Sequence, residues 1–138
     1  YGNGTFVIVG AGGLVLTSTN GETWNQNNTG ISISIRGIAY GNNQFVAVGE
    51  GGVILTGTNG IEWSRRCFVS NISLLDVAYG DTIFIIVGEN GTILAYTNAG
   101  GCVAQTSGVR NSLTGIVYGD TRFIAVGQST ILYSQCNM

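Results

Sequence analysis

The amino-acid sequence predicts an all-β fold, a β-propeller of about four blades, and three observations support that prediction. A segment headed by Tyr-Gly recurs every 39 residues, each unit divides into four short apolar runs, and polar or glycine-rich turns separate the runs. About 40 residues in four antiparallel strands is the size of one propeller blade. The chain, residues 1–138, is therefore predicted to be a single propeller domain.

The repeat keeps its phase over four copies. The units begin with the segments YGNGTFVIVG, YGNNQFVAVG, YGDTIFIIVG and YGDTRFIAVG. They divide the chain into units 1–39, 40–78 and 79–117 and a partial unit, 118–138. Self-similarity at a fixed period of this length is the signature of a repeat architecture. The tyrosines that head the units are Tyr1, Tyr40, Tyr79 and Tyr118.

Each unit is predicted to be a meander of four strands. The first strand ends at the tyrosine, the second begins at the next phenylalanine, and a glycine-rich turn leads to the third. An Asn-Gly pair at residues 20–21 and 59–60 predicts a two-residue hairpin into the fourth strand, which contains Trp24 or Trp63. The second and third strands are apolar at nearly every position, which favours sheets packed on both faces over a sandwich. A β-solenoid would use shorter coils with fewer reversals.

The third-to-fourth turn has a recognisable pattern, TSTNGETW from Thr17 to Trp24 and TGTNGIEW from Thr56 to Trp63. With the tyrosine-headed segments, it resembles the BNR or Asp-box repeat and its relatives, the photosystem-assembly-factor-like and bacterial surface propellers. The resemblance implies a propeller fold and a structural role for this hairpin. The aspartate of the box is replaced here by the asparagines Asn20, Asn59 and Asn98. Sialidases share the repeat, but their chemistry requires an arginine cluster, a tyrosine nucleophile and its acidic partner. The five arginines of this chain are scattered along the sequence, so we transfer no catalytic residue from sialidases.

The ends of the chain leave the closure of the ring open. The strands predicted from the repeat number three, four, four and three, since the first unit lacks its innermost strand and the last its outermost. Native proteins cover an unpaired sheet edge. Three arrangements follow: a piece of a longer propeller, an assembly of several copies, or a four-blade disc that closes alone.

Composition excludes several classes of partner and cofactor. The chain has 5 basic and 7 acidic residues and no basic face, which argues against nucleic acid. No apolar run approaches the length of a membrane-spanning helix, so we expect no membrane insertion. Without histidine, a zinc site of mixed nitrogen and sulfur ligands is excluded, and we expect no cofactor.

The cysteines and glycosylation motifs bear on location. The three cysteines, Cys67, Cys102 and Cys136, fit either three buried thiols or one disulfide with one free thiol. The chain begins with Tyr1 rather than methionine, and several Asn-x-Ser/Thr motifs suit a secreted glycoprotein. We therefore expect an extracellular or cell-surface protein. The asparagines of these motifs are Asn3, Asn27, Asn71 and Asn90.

Two sets of residues are candidates for contacts with a ligand or partner. Glu50 and Glu89 share one repeat position, which Gln128 fills in the last copy, and a solvated turn is favoured there over a glycosidase-like acid pair. The second set is Arg65, Arg66 and Arg110, which we assign to variable links between the fourth strand and the next first strand. Variation inside a regular repeat is where recognition is placed without damage to the scaffold.

The repeated aromatic residues are given structural roles. The four repeat tyrosines are expected to pack between blades with the hydroxyl on a neighbouring carbonyl, rather than to form a sugar-stacking ring. Trp24 and Trp63 are expected in the hairpin core rather than in a ligand platform. The function predicted from the sequence is a non-enzymatic scaffold or interaction module that binds a protein surface or a glycan. A lectin with shallow repeated sites is the first alternative, and a sialidase- or glycosidase-like enzyme is the second.

Overall fold

The β-branched and aromatic runs form strands joined by short turns in the computed structural model, which describes residues 1–69 and 71–134. Three single 3₁₀ turns occur at Ala11–Gly13, Glu50–Gly52 and Glu89–Gly91. The strands are β1 (Phe6–Val9), β2 (Leu14–Ser18), β3 (Asn25–Asn28), β4 (Ile35–Gly41), β5 (Gln44–Gly49), β6 (Val53–Gly57), β7 (Ser64–Phe68), β8 (Leu74–Gly80), β9 (Ile83–Gly88), β10 (Ile93–Thr97), β11 (Gly101–Gln105), β12 (Leu113–Gly119), β13 (Arg122–Gly127) and β14 (Thr130–Tyr133).

These strands form four antiparallel sheets in which consecutive strands are neighbours. The first sheet contains β1 to β3, the second β4 to β7, the third β8 to β11 and the fourth β12 to β14. The strand numbers predicted from the repeat are therefore confirmed within the described residues. The second and third sheets each contain all four strands of a unit.

The two-residue hairpins lie between the first and second strands of each unit. Asn42 and Asn43 both have positive φ, at 47° and 58°, and Asp81 and Thr82 repeat the pattern at 48° and 67°. Positive φ at both central residues matches the twist of the flanking strands, and asparagine and aspartate tolerate it best. This conformation explains the polar residues that follow every Tyr-Gly pair.

The prediction of a two-residue hairpin at each Asn-Gly pair is wrong. The connection from β2 to β3 spans residues 19–24, and the Asn20 side chain organises it, because its Oδ1 accepts the N–H groups of Glu22 and Thr23 at 2.9 Å. An asparagine side chain that mimics a backbone turn competes with the tight hairpin. Trp24 and Trp63 consequently lie immediately before β3 and β7, not within them.

Adjacent sheets pack face to face through apolar side chains from both. Between the second and third sheets, Val46 and Val48 meet Val77 and Ile86 in one buried cluster. Every residue of β5 is buried, which explains why its sequence does not alternate between apolar and polar residues. The packing therefore runs from sheet to sheet along the array.

The repeat tyrosines make close contacts between adjacent sheets. A Cβ atom added at Gly2, Gly41 or Gly80 would overlap the ring of the tyrosine one unit ahead: Tyr40, Tyr79 or Tyr118, respectively. Each ring also packs against the phenylalanine of its own unit, with centroids 4.6 to 4.7 Å apart. The packing of these rings between blades, expected from the sequence, is confirmed for Tyr40, Tyr79 and Tyr118. The expected hydrogen bond from the hydroxyl to a neighbouring carbonyl does not occur among the described residues. Glycine is required at the second position of the repeat because the next tyrosine lies on it.

Within residues 1–69 and 71–134, the array of sheets does not close on itself. Tyr1 is 71% exposed, and nothing lies within 4 Å of a Cβ added at Gly119, which would receive a tyrosine ring in a closed ring. The arrangement in which the chain closes alone as a four-blade disc is therefore contradicted. The other two arrangements, a longer chain or several copies, both leave these ends open in one chain.

Candidate functional site

The meander places alternate turns at opposite ends of each sheet. The hairpin face contains the first-to-second turns 42–43 and 81–82 and the third-to-fourth turns 58–63 and 98–100. The link face contains the 3₁₀ turns and the connections from one unit to the next, residues 29–34, 71–73 and 106–112. These two faces present the loops on which binding residues are usually found.

A groove of about 480 Å³ opens on the hairpin face between the second and third sheets. Its volume lies in the range of small-ligand and peptide-side-chain sites. Turns from both sheets form its walls, and the outer strand β7 forms one side. Its polar lining includes Asn42, Asn43, Gln44, Thr58, Arg66 and Asn98.

Hydrogen bonds between the sheets fix the inner wall of the groove. Gln44 is only 7% exposed and donates its Nε2 to Asn98 Oδ1 at 2.9 Å, across the junction. The buried Tyr96 donates its hydroxyl to the same oxygen at 3.0 Å. With both bonds on its oxygen, Asn98 has its amide N–H groups left to donate to a ligand.

Arg66 supplies the charge of the groove. Its Nε donates to Thr56 Oγ1 at 2.9 Å, which holds the guanidinium in place and leaves the terminal nitrogens as donors. Among the described residues that line the groove, Arg66 is the one charged side chain. A fixed guanidinium beside amides is suited to a carboxylate with neighbouring peptide groups.

Arg65, the adjacent residue, is turned away from the groove. Arg65 does not line the groove, and its guanidinium carbon lies 5.4 Å from the centroid of the Phe68 ring. The sequence assigned both arginines to a link, but they lie in β7, because polar residues are tolerated in the outermost strand of a sheet. Arg65 therefore offers a matched control for Arg66.

A disulfide joins the outer strands on either side of the groove. Cys67 in β7 is bonded to Cys102 in β11, 35 residues further along the chain. Of the two alternatives left open by the sequence, the structure has the disulfide, and Cys136 lies outside the described residues. The outer strands β7 and β11 are largely exposed, so packing restrains them little. The covalent bond between them fixes the distance between the two sides of the groove.

The candidate carboxylates lie on the opposite, link face. Glu50 forms an ion pair with Arg36, and Glu89 accepts the N–H of Ser73 at 3.2 Å. Gln128 is in a different turn, of two residues, because the last copy is one residue shorter there. Arg110 is also on this face, exposed in the link between β11 and β12. Of the predicted contact residues, Arg66 thus lines the groove, whereas the two glutamates, Gln128 and Arg110 lie on the opposite face.

The comparisons with known proteins agree on the fold. No family model matches the chain, and no curated protein matches it by sequence. Among solved structures, YCF48 bound to a D1 peptide matches with a TM-score of 0.76 and 21% identity, over 96% of this chain and 47% of that one. Virginiamycin B lyase from Staphylococcus aureus matches with a TM-score of 0.72 and 12% identity, over 96% and 55%. The chain has a β-propeller fold.

A computationally designed protein, Ika8, also matches, with a TM-score of 0.56 and 12% identity, over 83% of this chain and 40% of that one. The chain spans about half the length of the first two structures. The four sheets are therefore propeller blades, and identities this low show the fold alone. No helix in the described residues is long and apolar enough to cross a membrane. Those residues also contain no cluster of three potential metal-ligating acids or cysteines.

Asp76 is a half-buried acid at the contact between the third and fourth blades, and it was not predicted as a site residue. It takes the repeat position of Gly37 and Gly115, on an innermost strand. Its Oδ2 accepts the N–H of Ile116 from the next blade at 2.9 Å, and its Oδ1 accepts the N–H of Val77 at 2.9 Å. The sequence signal that could have identified Asp76 is an acid at a repeat position where two other units have glycine.

Replacing Asp76 with alanine should lower the free energy of unfolding by roughly 1–3 kcal/mol, because two N–H groups lose a charged acceptor. Urea denaturation followed by circular dichroism measures the change. Asp81→Asn, which removes a charge from an exposed turn of the same blade and keeps a side chain suited to positive φ, should cost much less. An unchanged stability of Asp76→Ala would show that this carboxylate contributes nothing to the contact between blades.

Proposed function

We propose that this propeller is a non-catalytic interaction module that binds an extended, acidic peptide segment of a partner protein in the groove between its second and third blades. The observation that supports it is the fixed Arg66 guanidinium, which lies beside amide side chains from two blades. A solved propeller of similar fold, YCF48, is bound to a peptide, which adds a precedent for the kind of ligand.

The chemistry of the groove matches that of a peptide chain. Asparagine side chains carry the same donor and acceptor groups as a peptide bond, so Asn42, Asn43 and Asn98 can pair with the backbone of a ligand. The terminal nitrogens of Arg66 would donate two hydrogen bonds to a carboxylate of that ligand. Because the disulfide and the Gln44–Asn98 bond pre-form the site, little conformational entropy is lost on binding.

Binding without catalysis is supported by the state of the candidate acids. An acid/base pair needs two carboxylates held free near one substrate position. Glu50 is instead paired with Arg36, and Glu89 with a backbone N–H of its own blade. We therefore propose that neither residue is a catalytic acid or base.

The proposal predicts that changing Arg66 to glutamine weakens the binding of acidic peptides at least about tenfold, since a charge-assisted hydrogen bond contributes about 1.5–3 kcal/mol. The probes are fluorescein-labelled, capped octapeptides of alanine, glycine and serine with two central glutamates, or with two lysines or glutamines instead. Fluorescence anisotropy measures the affinity of each. We expect the glutamate peptide to bind most tightly and to lose affinity as salt rises.

Arg65→Gln is the matched control, because it removes the same charge from the neighbouring residue outside the groove. Its affinity for the glutamate peptide should stay within about twofold of the parent protein. Equal losses of affinity in both variants would mean that net charge alone causes the effect, which would contradict the role proposed for Arg66. A parent protein that binds none of the peptides at millimolar concentration would refute the proposal.

A glycan is the second candidate ligand, favoured by the amide-rich lining of the groove. Sugar rings usually stack on exposed aromatic rings, and Tyr96, the aromatic residue that lines this groove, is 3% exposed. This makes the peptide the better fit. Binding of a neutral oligosaccharide that Arg65→Gln and Arg66→Gln both leave unchanged would favour the lectin instead.

The disulfide supports a location outside the cytosol. Disulfides persist in oxidising compartments and are rare in the reducing cytosol. We therefore propose that the module works in an extracellular or cell-surface setting. A kinship with Asp-box repeats is proposed on the same footing, because the Asn20 and Asn59 side chains each accept two backbone N–H groups in the turn that the box would form.

A further inference from the structure

A smaller cavity of about 240 Å³ adjoins the groove on the hairpin face of the second blade. Gln44, Thr58 and Arg66 line both the groove and this cavity, so the two spaces meet at these residues. The cavity is also lined by Glu62 and Trp63, which end the third-to-fourth turn and do not line the groove. A ligand that reaches Arg66 in the groove therefore lies next to a second, separate set of contacts.

The smaller cavity contains one charge of each sign, and neither charge neutralises the other. Within the part of the chain that the structure describes, Glu62 and Arg66 form no ion pair with each other. Arg66 is held by Thr56 instead. Glu62 accepts Asn59 Nδ2 on its Oε2 at 3.3 Å, which leaves its Oε1 to accept hydrogen bonds from a ligand. Both charges are therefore available to groups of a ligand.

Comparison with the first blade shows that the fold does not require the charge of Arg66. Asn27 takes the same repeat position, 39 residues earlier, and donates its Nδ2 to Thr17 Oγ1 at 3.0 Å. Arg66 makes the corresponding bond to Thr56 Oγ1. In the third blade, the position is filled by Gln105. An uncharged side chain thus satisfies the sheet, and the guanidinium is an addition of the second blade.

The carboxylate of Glu62 is likewise confined to the second blade. Its counterparts are Thr23 in the first blade and Gly101 in the third. The N–H of Thr23 donates to the turn asparagine of its own blade at 2.9 Å, and the N–H of Glu62 does the same, so the turn does not need the carboxylate. Both charges therefore occur in one unit of the three that contain these positions, and that unit supplies an outer strand of the groove.

We propose that the smaller cavity binds a cationic side chain of the same peptide, so that the module selects segments in which a lysine lies close to an acidic residue. This inference rests on the proposed function, since the acidic residue is the one held by Arg66. Glu62 would accept hydrogen bonds from the lysine ammonium, and the indole of Trp63 is the aromatic ring that attracts cations most strongly. The acid bound to Arg66 offsets the charge that would otherwise repel this cation. Side chains two residues apart in an extended peptide point to the same side, so the lysine and the acid can reach neighbouring sites.

Two pairs of labelled peptides test this subsite. Each pair uses the capped octapeptide with two central glutamates and adds one lysine, either two residues before the first glutamate or two residues after the second. The partner peptide has glutamine in place of that lysine. By fluorescence anisotropy, one of the two lysine peptides should bind the parent protein about fivefold more tightly than its glutamine partner. The other lysine peptide has the same net charge and should gain little, because its lysine points away from the cavity.

Glu62→Gln should bring the ratio of the lysine-peptide and glutamine-peptide affinities within about twofold of one, because the carboxylate that receives the ammonium is gone. Glu22 lies in the corresponding turn of the first blade and lines neither cavity, so Glu22→Gln removes the same charge and should keep the preference. If the glutamate peptides bind but lysine strengthens binding at neither position, or equally at both, the subsite is overturned and the proposed function stands. A preference that survives Glu62→Gln, or that Glu22→Gln also abolishes, would overturn the subsite as well. Binding of none of the peptides would overturn the proposed function and this inference together.

Discussion

Replacing Gly80 with alanine is expected to lower the free energy of unfolding by about 3 kcal/mol, the upper part of the range for an overpacked interior. The added methyl group would occupy the space of the Tyr118 ring, which cannot move without leaving Phe123 of its own blade. The junction between the third and fourth blades would then open or shift. Urea denaturation, followed by circular dichroism and tryptophan fluorescence, measures the loss.

Gly10→Ala provides the control for this substitution. Gly10 is also extended, with φ of −163°, and its Cβ position is 4.0 Å from the nearest side-chain atom, Leu14 Cδ2. The control should therefore keep its stability or gain a little, because alanine restricts the unfolded chain. Similar stabilities for the two variants would mean that the tyrosine contact tolerates a side chain and is not what requires glycine.

Removing the disulfide, by changing both Cys67 and Cys102 to serine, should cost roughly 2–4 kcal/mol of stability. The bond closes a loop of 35 residues, so its loss restores much of the freedom of the unfolded chain. It also releases the outer strands beside the groove. Thermal melting measures the stability, and the peptide anisotropy assay measures the groove.

A reducing agent separates this effect from that of the substitutions themselves. The reductant should lower the melting temperature of the parent protein and leave that of the double serine variant unchanged. We also expect weaker binding of the glutamate peptide in the variant, because the groove loses its fixed width. If neither the reductant nor the serine substitutions change the melting temperature, then the packing of the blades holds the two outer strands as well without the disulfide as with it.

The repeat made the sheets predictable, because a residue that must meet its neighbour in every unit recurs at a fixed spacing. The tyrosine, the glycine after it and the next phenylalanine set the period, and the period set the strands. The prediction at the Asn-Gly pairs was wrong because this dipeptide fits both a two-residue hairpin and a longer turn. The side chain of Asn20 selects the longer turn. That choice depends on hydrogen bonds that a pattern of residue types does not show.

The groove was less predictable, because its parts come from two units. Arg66 was singled out, but as a link residue. Its distinction from Arg65 depends on an outer strand with an irregular register, and neither the bounds nor the irregularity of that strand was foreseen. Gln44 and Asn98 meet over 54 residues of sequence, which a single sequence does not reveal. The paired cysteines are 35 residues apart rather than the 39 of the repeat, so the period gave no hint of the bond.

The tyrosine and the glycine that follows it are adjacent in the chain, yet each belongs to a different junction. The ring of Tyr79 lies on Gly41 behind it, and Gly80 receives the ring of Tyr118 ahead. Both halves of the contact are therefore inherited together whenever a whole unit is copied. A gene duplication or deletion that spans one unit would join the remaining blades through the same pair of residues. Such proteins can change their blade number in a single genetic event without first evolving a new interface.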